Sequence, residues 1–171
     1  MTDQPSGSLR ELAAAYGIAT EFWTFGGEHR TVPTSTILAI LAAMGVAAAD
    51  DATNQELLRV KDEEPWRRTL PYSVVARSGH AHRIPVHVID GTSVSVFVEL
   101  EDGGRVDAVQ VEEWVAPREI DGVLIGRATF KLPKKLPLGW HTIVAETESG
   151  VERAPLAVTP DRLDACGADG D

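Results

Sequence analysis

Residues that would carry a definite chemistry are scarce in this chain. A single cysteine, Cys166, stands among 171 residues. No intramolecular disulfide can form, which fits a reducing compartment, and a thiol set in a Gly/Asp/Ala-rich stretch is a poor nucleophile. No run approaches the ~18 to 20 consecutive apolar residues that span a bilayer. The opening MTDQPSGSLRELAAAYG has neither a basic n-region nor an apolar h-region, so a cytoplasmic location is expected. Cations are also few, 16 Lys and Arg against 26 Asp and Glu, for a net charge of −10. Phosphate binding needs concentrated Lys and Arg, yet only Lys134-Lys135 and Arg67-Arg68 are adjacent. Neither nucleic acid nor an anionic membrane is therefore an expected partner. There is no Gly-rich phosphate loop, no G-x-S-x-G elbow and no Cys/His set with metal spacing, so no cofactor, no metal and no catalytic residue is expected.

What the chain does hold is apolar content for a core, 43% of its residues, arranged in two periods. Residues 1–70 read as a small helical module with a short hairpin. Ser8 and Glu11 have the spacing of a capping box ahead of Leu9, Leu12, Ala13 and Tyr16, and Gly17 can close that helix. In EFWTFGGEHRTV, Gly26-Gly27 separates two β-prone runs, as in a tight hairpin. Its Phe22, Trp23 and Phe25 need a surface, and the next helix is the expected one. There Ile37, Leu38, Ile40, Leu41 and Met44 form one stripe, with Pro33 at the start and Gly45 as the stop. Thr53 and Glu56 would cap a third helix bearing Leu57, Leu58 and Val60, which Pro65 limits.

After Leu70-Pro71 the period changes to two. Residues 71–158 carry seven candidate strands, at 72–77, 83–89, 94–100, 105–111, 123–132, 141–147 and 152–158. Between them lie SGHAH, DGT, EDGG, PREIDG, PKKLPLG and ESG. This spacing predicts a mainly β fold, an immunoglobulin-like antiparallel β-sandwich following the helical module. Val94, Val96, Val98 and Leu100 share one face of their strand, as half-burial requires. Residues 159–171 read as a polar tail.

Few side chains invite a functional reading. His80-x-His82 is the nearest approach to a metal pair, but both sit beside a turn with no carboxylate or thiol close in sequence. His87, in IPVHVI, reads as a satisfied sheet residue. The acids from Glu99 through Glu101, Asp102, Glu112 and Glu113 to Asp121 read as solvated hairpin faces. Of Trp23, Trp66, Trp114 and Trp140, the last two are candidates to meet a sugar or an interface, since a flat exposed indole can stack on a pyranose. In LPLGWHTIVAET, alternation sends His141, Ile143 and Ala145 to one face and Trp140, Thr142 and Val144 to the other. Gly139, His141 and Ile143 match the spacing of a sandwich corner, in which a ring two positions before an inward residue bonds nearby backbone.

Several segments together resemble one family. LRELAAAYGIATEFWTFGGEHRTVPTSTILAILAAMGV, EEPWRRTLPYSVV, IPVHV, VFVELEDGG, WVAPREIDGVLIGRATFKLPKKLPLGWHTIVAE and LAVTPDRL follow the order of the N-terminal region of actinobacterial 4-α-glucanotransferases, the amylomaltase (MalQ-type) family. Members of that family transfer α-1,4-glucan segments between maltooligosaccharides, using carboxylates on the loops of a (β/α)₈ barrel. A barrel takes about 200 to 250 residues, and none of its motifs occurs here. The resemblance thus implies a non-catalytic accessory region, inactive alone, from a truncated gene product or an excised domain. Its implied partner is the barrel in cis or a neighbouring subunit. A maltooligosaccharide platform and a self-association module stand as alternatives.

Overall fold

The computed structural model describes residues 4–162, and the chain divides into two compact units, Met1–Glu64 and Pro65–Asp171. The tail expected at 159–171, Cys166 included, lies outside the described residues from 163 onward.

The first unit runs α1 (Gly7–Ala15), β1 (Glu21–Trp23), β2 (His29–Thr31), α2 (Thr34–Ala43) and α3 (Asp51–Glu63). Leu9, Leu12 and Ala13 of α1 meet Ile37 and Leu41 of α2 and Val46, with Leu57 and Leu58 of α3 packed against them. Both helix caps differ from the expected pairs. Ser6 caps α1, its hydroxyl accepting the Leu9 N–H at 3.4 Å. Ser8 lies inside the helix, where its hydroxyl donates to Asp51 Oδ1 at 2.5 Å. Asp50 rather than Thr53 caps α3, accepting the Thr53 N–H at 2.8 Å. Buried Asn54 completes a polar clamp, donating to Ser8 Oγ at 3.3 Å and accepting the Ala49 N–H at 3.2 Å. The Ser8 and Ser6 hydroxyls hold the Asp51 carboxyl below its usual range.

Two further expectations fail in this unit. The α2 stripe is one row wide, with Ile37 and Leu41 buried and Ile40 and Met44 exposed, since so small a module has little chain to cover a broader face. The expected hairpin forms, with Trp23 opposite His29, but its aromatics stay exposed. Trp23 leans on the His29 ring at 5.1 Å, and Phe25 at the turn is fully exposed.

The second unit opens at Pro65, inside a 3₁₀ turn, Glu64–Arg67, that follows directly on α3. Nine strands follow. They are β3 (Val74–Arg77), β4 (His82–Ile89), β5 (Val94–Glu99), β6 (Arg105–Asp107), β7 (Val109–Val111), β8 (Arg118–Ile120), β9 (Val123–Leu132), β10 (Gly139–Thr147) and β11 (Gly150–Thr159). One sheet has the order β3-β11-β10-β5-β6; the other is β4-β9-β7, with β8 also paired to β9. Strand β10 lies between β11 and β5 in one layer while β4 and β9 lie in the other, which is the immunoglobulin arrangement.

Three details depart from the sequence reading. The sandwich is not wholly antiparallel, because β3 runs parallel to β11, with Val74 opposite Leu156. Strand β4 lies in the facing sheet, so the chain crosses between layers at the turn after β3 rather than folding back as a hairpin. The strand expected at 105–111 is likewise broken at Ala108. Arg105–Asp107 pairs with β5 in one sheet and Val109–Val111 with β9 in the other. Finally, β8 was expected to be loop. It forms a hairpin with β9 through Asp121-Gly122, both at positive φ, the conformation a two-residue turn requires.

The core draws Val96, Val98, Ile143, Ala145 and Leu156 from one sheet and Ile84, Val86, Phe130 and Leu132 from the other. Leu70, at the end of the expected helical module, belongs to this core as well. Phe97 faces the opposite way, under the Arg105 guanidinium 3.5 Å from its ring centre. Ile143 has no solvent exposure and its strand is paired on both sides. Ile143→Ala should destabilise the sandwich by about 2 to 5 kcal/mol in urea unfolding followed by circular dichroism.

Candidate functional site

The sandwich presents two places where polar groups converge and one where apolar side chains stand free. The first is the entry to β10. His141 is 6% exposed, and both ring nitrogens are used. Nδ1 accepts the Glu101 N–H at 3.1 Å, which leaves Nε2–H to donate to the Pro137 carbonyl at 2.8 Å. One neutral ring thereby joins the connection entering β10 to the turn that follows β5. The Glu101 carboxylate returns across the same gap and accepts the Trp140 N–H at 3.3 Å. Gly139 makes room for it. Its φ is 135°, and a Cβ there would stand 2.5 Å from Glu101 Oε2. Ile143 continues inward into the core, and Trp140 stands outward, 70% exposed. Leu100, Asp102, Pro137 and Leu138 complete the walls of a groove of about 310 Å³.

The second place is a hollow of about 650 Å³ beside β4 and β9, floored by Trp66, Ile120, Val123 and Ile125 and rimmed by Arg68 and Thr147. The 3₁₀ turn delivers Trp66 onto His87, ring centres 4.6 Å apart, and the Arg118 guanidinium lies 4.8 Å from the indole. Arg67 pairs with Asp121 in the β8–β9 turn. His87 is only 7% exposed. Burial lowers its pKa first, and the neighbouring Arg127 charge adds to that, so this imidazole is held neutral.

The remaining candidates are scattered. Trp114 is 83% exposed in the segment after β7, and Trp23 is exposed in the hairpin, so Trp66 alone of the four indoles is buried. Several acids have basic or backbone partners. Glu113 is held by Arg127 at 3.1 Å, Glu99 by Arg153 at 2.5 Å, and Asp102 accepts the Gly104 N–H at 3.0 Å. His80 has a carboxylate partner that local sequence does not show, Asp161 at 2.9 Å, 81 residues away. Among the described residues no group of three His, Cys, Asp or Glu is placed to hold a metal, and no helix is long and apolar enough to cross a membrane.

Two outcomes follow from this geometry. His141→Ala leaves the Glu101 N–H and Pro137 carbonyl without their partner, at a cost of about 1 to 3 kcal/mol, and should lower the sandwich's melting temperature by on the order of 10 °C. His87 has a folded-state pKa below the 6.5 of a free imidazole. The unfolded chain therefore takes up this proton first as pH falls. The stability from neutral His87 is full above pH 6.5 and is lost as pH drops through the folded value. Melting temperature should fall on the acid side of pH 6.5, and His87→Gln should flatten that part of the profile.

Known proteins match this chain over most of its length. Residues 69–160 match the family described as the MalQ N-terminal beta sandwich domain. The chain is 40% identical over 157 residues to the 4-alpha-glucanotransferases of Mycobacterium tuberculosis and Mycobacterium bovis, covering 91% of this chain and 22% of each relative. The crystal structure of amylomaltase from Corynebacterium glutamicum superposes with a TM-score of 0.86 at 42% identity, over 91% of this chain and 23% of that one. The chain thus spans about a fifth of the length of these relatives. With the sandwich matched over almost its whole described extent, this chain belongs to the family of MalQ N-terminal beta sandwich domains.

Proposed function

We propose that the chain is the non-catalytic N-terminal accessory region of a cytoplasmic 4-α-glucanotransferase, whose catalytic barrel is its partner in cis or in a neighbouring subunit. The observation that supports this most is the reach of the likeness, 40% identity across 91% of the chain against 22% of the relatives. The disposition of the acids points the same way. Retaining glycosyl transfer uses two carboxyl groups about 5 Å apart around a bound sugar, whereas Glu99, Glu113 and Asp121 are each turned onto an arginine. The purified chain should release no glucose from maltotriose. Disproportionation by a clean sample, lost on changing one of its own acidic residues, would overturn the proposal.

The exposure of Trp114 favours a second reading, a maltooligosaccharide platform on the sandwich. Titration with millimolar maltoheptaose would then shift tryptophan fluorescence in the wild-type chain and not in Trp114→Ala. An unchanged wild-type spectrum would remove this reading.

A further inference from the structure

The outer face of the five-stranded sheet carries an apolar row that the sandwich itself does not use. Cross-strand register places Trp140 of β10 opposite Ala157 of β11, and Ala157 opposite Val75 of β3. The next rung adds Pro155 opposite Thr142. Trp140 and Val75 are mostly exposed, and Leu138 stands exposed just before β10. The backbone beneath the indole is fixed, by the Gly139 conformation and by the Glu101 carboxylate on the Trp140 N–H.

The same end of the sheet is where the chain leaves. Strand β11 runs from Gly150 to Thr159, and its last rungs pair Val158 with Gly139 and Thr159 with Arg77. Ala157 is two residues before Thr159, so the outgoing chain passes within about 7 Å of the Trp140 rung, at ~3.3 Å per residue. That exit is fastened rather than frayed. The Ser78 N–H donates to the Thr159 carbonyl at 2.9 Å, and His80 holds Asp161 at 2.9 Å. The relatives of this chain are more than four times its length, since the match spans 22% of them. Up to Asp161 the exit lies fastened beside an exposed apolar row.

We infer that the Trp140–Ala157–Val75 row is the surface on which the catalytic part of a glucanotransferase packs, with Trp140 as the anchor. This rests on the accessory-region reading and names the face that reading leaves open. Aromatic anchors buried at the centre of an interface are its usual energetic focus, and a fixed exit lowers the entropy lost on docking.

The test joins residues 1–162 to the catalytic region of the Corynebacterium glutamicum amylomaltase, in place of the matching part of that enzyme. Acrylamide quenching of the Trp140 emission, isolated by difference against Trp140→Phe, is compared between the fusion and the 171-residue chain. Docking should lower the quenching constant of Trp140 by about threefold or more, as expected for an indole moved from solvent into an interface core. Equal quenching in the two proteins overturns the inference. So does a self-associated 171-residue chain, seen in sedimentation, that protects Trp140 to the same degree, because the occupant would then be a second copy. Disproportionation of maltotriose by the fusion is scored separately. A fusion that turns over with Trp140 unprotected removes the docking face and leaves the accessory reading standing, while a protected Trp140 in an inactive fusion keeps the face and counts against that reading.

Discussion

Strand β10 is hydrogen-bonded on both sides, to β11 along its whole length and to β5 along most of it, and every side chain on it is thereby committed to one face. His141, Ile143 and Ala145 go inward and Trp140, Thr142 and Val144 outward. A slip of one residue would put the indole in the core and Ile143 in water, so register here fixes the register of both neighbours. The His141 ring sets that register at the strand's entry by bonding backbone on two sides, to Pro137 before it and to Glu101 across from it. In many immunoglobulin-like domains a disulfide joins the sheets at the level of this strand. Here the corresponding inward position is Ile143, packed with aliphatic residues from both layers, and dispersion and burial replace the covalent link.

The legible parts of the fold are those set by local period. Two-residue alternation marked out β4, β5, β9, β10 and β11, and helical spacing marked α1, α2 and α3. What escaped depended on partners distant in sequence. Nothing near Arg105–Val111 says that the strand changes sheets at Ala108, because the alternation runs on unbroken across the crossing. The parallel pairing of β3 with β11 joins residues about 80 apart. The Asp121-Gly122 hairpin is different, since an Asp-Gly pair between apolar residues is among the strongest local hairpin signals. The caps escaped for a similar reason, since the contacts that occupy Ser8 come from Asp51 and Asn54, more than 40 positions away.

The candidate sites divide the same way. The inward position of His141 is readable from alternation, but its bond to Glu101 is not, because that residue lies 40 positions away. His87 shows no sign in sequence that Trp66 will cover it, yet that contact and the Arg127 charge are what keep the ring neutral. Exposure of an indole is likewise invisible in composition. Trp66, flanked by charged residues in a 3₁₀ turn, is buried, while Trp140, ahead of an apolar strand run, is exposed, the reverse of what their local settings suggest.

One short stretch therefore serves two purposes by facing two ways. The groups that close the core at Gly139–Ile143 are the ones that position Trp140, because the Glu101 carboxylate can reach the Trp140 N–H only where Gly139 has no side chain. Structural demand explains His141, Gly139 and Ile143 completely. It does not explain an indole held by its backbone and left in solvent, since a threonine or a lysine would serve a solvated strand face at lower risk of aggregation. The surplus on this strand is apolar area placed beside the outgoing chain, and the docking face we propose would use it.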